Sequence, residues 1–158
     1  MILAIISILV FNAIAFFPEK RMNKLEIYST SIFAVILAFS VDYILEVTFH
    51  LYGYFQKKAQ YTDLLVTLGI YPAIDIIFLN FFPSTRRIVT KMLYIAGWSA
   101  FALFYEWLSV KLGLFYYNGW KWIYSVPIYP FLYLLLLGNL KLVRRLWRSD
   151  VSKEKLKV

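Results

Sequence analysis

The sequence predicts an all-α fold: a bundle of five transmembrane helices, amino terminus outside and carboxyl terminus cytoplasmic. Three observations predict it. The 158-residue chain is 61% hydrophobic, only 16% charged, and has a mean hydropathy of +0.66. Its apolar residues fall in five continuous runs, without the alternation of a barrel strand. Its basic residues sit between and after those runs. Ordinary soluble domains carry about 25% charged residues. A soluble fold of roughly 150 residues still exposes about a third of its unfolded surface, so it cannot hide this much apolar surface. Lipid resolves the conflict, and in lipid only helices and closed barrels satisfy the backbone.

Each run has its own start and stop signals. The first, about 2–17, ends at Pro18 and is short for a core of about 30 Å, which takes about 20 residues. Ala13 and Ala15 form an A-x-A pattern, but no basic region precedes the run, so it reads as a retained helix rather than a signal peptide. The second helix is expected over about 27–49 and the third over about 64–82, ending at Pro83. The fourth is expected over about 92–115 and the fifth over about 126–146. Pro127 and Pro130 fall in the first turns of this fifth helix, where proline costs little. Asn118-Gly119 is a turn signal between the last two helices. Residues 1–148 form one membrane domain in this reading, and 149–158 a short solvated cytoplasmic tail.

Charge sets the orientation. Lys20, Arg21 and Lys24 follow the first helix, and Arg86, Arg87 and Lys91 the third. Lys141, Arg144, Arg145, Arg148, Lys153, Lys155 and Lys157 fill the end of the chain. The other two loops hold only Lys57, Lys58 and Lys121, with Lys111 near the end of the fourth helix. Five crossings place the three rich segments on one side, which the positive-inside rule makes cytoplasmic. The net charge of +8 therefore reads as membrane orientation, not nucleic-acid binding. Aromatics fit the same map. Tyr52, Tyr54 and Tyr61 flank the second loop, and Tyr116, Tyr117, Trp120, Trp122 and Tyr124 crowd the fourth. Trp147 among its arginines reads as an anchor on anionic lipid.

Five residues stand out as a candidate intramembrane polar site: Asp42, Glu46, His50, Asp75 and Glu106. An ionisable residue in a spanning helix is expensive and faces the bundle interior or a wet cavity. Asp42, Glu46 and His50 are four apart, so an α-helix stacks them on one face, each about 6 Å from the next. If the second and fourth helices touch, Glu106 joins them. Two nearby carboxylates in low dielectric do not both stay ionised cheaply, which suits proton or cation handling. Asp75 lies one turn after Pro72, whose ring breaks a backbone bond to Leu68 beside Gly69. Kinked backbone near an acid is a recurring layout for membrane ion or substrate sites. The plainer reading is structural, with each acid bonded to a neighbouring helix. Asn12, Tyr43, Tyr71, Asn80, Ser99, Tyr105 and Asn139 are available partners. Lys111 reads as snorkelling outward rather than pairing with Glu106.

The absences narrow the chemistry. With no cysteine there is no disulfide or thiolate site, and one histidine rules out histidine-cluster metal centres. No metal or cofactor is expected, although Asp42, Glu46, His50 and Glu106 form a conceivable small-cation set. There is no H-E-x-x-H, G-x-S-x-G, phosphate loop or G-x-G-x-x-G. Only carboxylate acid/base chemistry is left for an enzyme.

Tyr117-Asn118-Gly119-Trp120, then Tyr124-Ser125-x-Pro127-Ile128-Tyr129, with Glu106 and Gly113-Leu114-Phe115 before them, form a motif within a similarity that covers about the last two-thirds of the chain. It resembles an uncharacterised family of small multi-pass membrane proteins from spore-forming Bacillota. The resemblance implies an integral protein of the bacterial cell membrane, with no assigned activity or site residues. Three functions follow, in order. The first is a non-enzymatic accessory or assembly component, with lipid and a membrane protein partner or second copy as its contacts. The second is a proton- or cation-coupled transporter or channel component. The third is a membrane-embedded lipid or isoprenoid enzyme.

Overall fold

The computed structural model describes residues 2–17, 21–54, 64 and 67–155. Pro18, Lys20, Lys57, Lys58, Tyr61 and Lys157 lie outside the described residues, as do the side chains of Tyr54, Lys153 and Lys155. The fold is all-α apart from one small ribbon. Its helices are α1 (Ile2–Phe16), α2 (Lys24–Asp42), α3 (Tyr71–Asn80), α4 (Ile88–Lys111) and α5 (Trp122–Lys155). A π-helical segment, Tyr43–Thr48, continues α2. Strands β1 (Tyr52–Tyr54) and β2 (Phe115–Tyr117) pair antiparallel, with Tyr52 opposite Tyr117 and Gly53 opposite Tyr116.

Element bounds differ from the sequence expectations for physical reasons. α2 begins three residues early because Asn23 and Glu26 form a reciprocal capping box. α4 stops at Lys111, not near 115, because Gly113 takes φ +71 and turns the chain into β2. α5 begins at Trp122, so Pro127 and Pro130 lie inside it rather than in its first turn. Each removes one helical N–H, which leaves the carbonyls of Ile123 and Val126 without their usual donors. At its far end α5 remains helical through Lys155, because no glycine or proline interrupts 146–155. At 1.5 Å per residue its 34 residues measure about 51 Å, well beyond a bilayer core of about 30 Å. The expected loose tail from 149 is thus an extension of this helix as far as it is described.

Among the described residues, three helical stretches are long and apolar enough to cross a membrane: Lys24–Thr48, Ile88–Lys111 and Trp122–Ser149. The helices Ile2–Phe16 and Thr67–Asn80 are shorter. The long helices turn apolar side chains outward, and Ile36, Phe104 and Leu134 are each more than half exposed. That is the surface of a body whose solvent is lipid, not water. α3 is the opposite. It sits at the centre against α1 and α2, and buries Ala73 and every residue from Asp75 to Asn80. Phe78, fully buried, is surrounded by the rings of Phe82, Tyr94, Trp98 and Tyr133 at 4.5–6.0 Å. A helix enclosed by protein has less need to match the lipid thickness.

The bundle has two distinct ends. At the ribbon end Tyr52 is buried with Ala4, Ile70 and Leu114. At the opposite, basic end Arg144 clasps Glu26, Nε to Oε1 at 2.9 Å and Nη2 to Oε2 at 3.2 Å. There too the backbone N–H of Arg21 donates to Oδ1 of Asn80 at 2.7 Å. Glu26 was not among the expected buried acids, yet it is one.

Candidate functional site

The local breaks in the helices build the site. Pro72 stands in the first turn of α3, after a break at Ile70. The nearby Gly69 carbonyl accepts Nδ2 of Asn12 at 2.8 Å, so α1 compensates the broken backbone. Gly69 also lets Ile8 approach so closely that a Cβ there would stand 2.9 Å from Ile8 Cγ1. The bend directs Ile70, Tyr71, Ile74 and Asp75 toward α4 and α5, where they line a cavity of about 200 Å³. The cavity lies between α2, α3, α4 and α5 and is bordered at one end by Tyr52, Leu114, Phe115 and Trp120 of the ribbon region.

Three of the five sequence candidates line this cavity: Asp42, Asp75 and Glu106. Their surroundings differ sharply. Glu106 is buried and accepts three hydroxyls: Tyr117 at 2.6 Å and Ser125 at 2.9 Å on Oε1, and Tyr129 at 2.7 Å on Oε2. Trp120 Nε1 donates to Ser125 Oγ at 3.0 Å and fixes that hydroxyl in turn. All four partners lie in the motif that carries the family resemblance. Asp42 accepts the Tyr52 hydroxyl at 2.7 Å. Asp75 is only 9% exposed and, among the described residues, its carboxylate receives no hydrogen bond and joins no ion pair.

The two ribbon tyrosines are held as donors. Burial first, then the neighbouring Asp42 carboxylate, raises the Tyr52 hydroxyl above its ordinary range. Burial and Glu106 raise Tyr117 in the same way. Both hydroxyls stay protonated at neutral pH and keep donating to their acids.

Glu46 and His50 do not reach the cavity. The expected four-residue stripe assumed α-helical geometry, but the chain follows π geometry over Tyr43–Thr48. Glu46 is partly buried on this segment and acts on the Tyr52 hydroxyl electrostatically. His50 lies past the helix, exposed, at φ +52, with its carbonyl accepting Nδ2 of Asn118 at 2.9 Å. The small-cation set of Asp42, Glu46, His50 and Glu106 therefore does not assemble. Among the described residues no three His, Cys, Asp or Glu side chains are grouped to hold a metal ion.

Most partners that the sequence reading offered to the acids serve elsewhere. Tyr105 donates to Ser7 at 2.8 Å, linking α4 to α1, and Ser99 bonds back to the Ile95 carbonyl at 2.8 Å. The real donors, Tyr52, Tyr117 and Tyr129, sit in or beside segments rich in interfacial aromatics. Their role was masked by that more general explanation. Comparison with known proteins adds no relative: no family model, no curated protein and no solved structure matches the chain.

Proposed function

We propose that the chain is an integral protein of a bacterial cell membrane that crosses lipid five times, amino terminus outside and carboxyl terminus cytoplasmic. In this reading it is a non-enzymatic accessory component that binds a small molecule in its intramembrane cavity. The distribution of basic residues and the resemblance to the Bacillota family support the placement. One observation carries the binding role: the cavity is lined by a buried acid, Asp75, that has no hydrogen-bond or ion-pair partner among the described residues. Asp42 and Glu106 are bonded and hold the cavity wall in shape. An acid retained only for packing would be expected to have such partners.

The sharing of one cavity by three acids favours a second reading, a proton- or cation-coupled carrier, with Asp75 as the exchanging group. Flux of protons or cations into vesicles containing the purified protein separates it from simple binding.

Binding is tested with a neutral single-ring probe, benzyl alcohol. An apolar cavity of about 150 Å³ already accepts benzene. The probe is expected to raise the thermal midpoint of the wild-type protein in nanodiscs and to leave Ala102→Trp, whose new ring fills the cavity, unmoved. An equal upward shift in the two proteins refutes the binding role, and so does a wild-type protein that neither this probe nor its amine analogue shifts.

A further inference from the structure

We propose that the cavity takes a small organic cation, an ammonium group on an apolar body, with the charged nitrogen seated at Asp75. This rests on the binding role above and names its ligand class. Three features lead to it. First, the cavity is lined by Asp42, Asp75 and Glu106, and its described lining includes no Lys, Arg or His. The described lining thus offers acids and no basic side chain to pair with them. Second, the acids are not equivalent. Hydroxyls occupy Glu106 and Asp42, while Asp75, nine-tenths buried and lining the cavity, has no donor among the described residues. A buried carboxylate calls for a charged donor, and the ligand would supply one. Third, apart from Ser109 and Ser125 the rest of the wall is apolar or aromatic, including Phe101, Tyr105, Tyr129 and Tyr133. Aromatic faces attract organic ammonium groups, and aliphatic walls suit the ligand body.

The same features reject other occupants. A metal ion needs several ligands around one point, and no such grouping exists among the described residues. An anion would meet three acids and no cation. A neutral molecule fits the walls but makes no ion pair with Asp75, so it gains less from this site than a cation does. At about 200 Å³ the space suits a single-ring amine rather than a long-chain lipid.

The test compares benzylammonium with benzyl alcohol by calorimetric titration of the full chain in phosphatidylcholine nanodiscs, which carry no net lipid charge. Wild type is expected to bind benzylammonium at least about tenfold more tightly than the alcohol. Asp75→Asn is expected to bring the two within about twofold by weakening only the cation. Equal wild-type affinities overturn the proposal, and so does a preference that survives Asp75→Asn. If that variant fails to fold, the wild-type ratio alone decides. Binding of the alcohol without preference for the cation removes the ligand class and leaves the cavity's binding role standing. If neither compound binds at millimolar concentration, both fall.

Discussion

Glu106 and Asp75 are both acids in an apolar helix, and the fold treats them in opposite ways. Glu106 collects three hydroxyls from β2 and α5, whereas Asp75 collects none among the described residues. Removing them should therefore have opposite consequences. Glu106→Gln puts an amide N–H₂ where an acceptor oxygen was, against hydroxyls that donate. Thermal or denaturant unfolding in detergent should show a loss of about 2 kcal/mol. Asp75→Asn breaks no bond, because the carboxyl has no partner among the described residues, so the same measurement should give an unchanged or higher midpoint. An Asp75→Asn loss as large as that of Glu106→Gln would mean that Asp75 is structural too. The sequence identified both acids as exceptional, because each interrupts an apolar run. It did not separate them, since the difference lies in donors 11 to 23 residues from Glu106 along the chain.

At the level of elements, the five apolar runs were legible because continuous hydrophobicity is a local property. The interruptions were less so. The π segment has no sequence signature, and Glu46 on it and His50 beyond it lie outside the cavity lining. The ribbon is only three residues per strand, too short for an alternating pattern to register. Its stability comes from burial of Tyr52 against three other elements. The Asn23-x-x-Glu26 box was readable in principle, but attention to apolar runs placed the start of α2 just past it. The break at Pro72 was legible. Its repair was not, since Asn12 reaches Gly69 across 57 residues. Asn12→Leu leaves the Gly69 carbonyl without this donor and should cost about 1 kcal/mol. Slowed amide exchange protection is the wrong signature here; faster exchange at α3, with α4 unchanged, is the expected one. Uniform acceleration across all helices would contradict a local repair.

Taken whole, the molecule is a helical bundle around a cavity, and its two ends are tied by different means. The ribbon covers one end with hydroxyls bonded to two of the three acids. At the other, the Arg144–Glu26 pair ties α5 to the start of α2, partly screened by water on the arginine side. α1 and α3 pack into the bundle beside the long helices, and each is too short alone for a bilayer core of about 30 Å. α3 is enclosed by its neighbours, which suits five passes through lipid. The chain has no cysteine, so single cysteines report position without background. Lys121→Cys lies between β2 and α5, and Ser152→Cys lies on the far extension of α5; both sites are exposed. Labelling intact cells with a membrane-impermeant maleimide should modify Lys121→Cys at once and Ser152→Cys only after permeabilisation. Labelling of both from the same side would contradict the account.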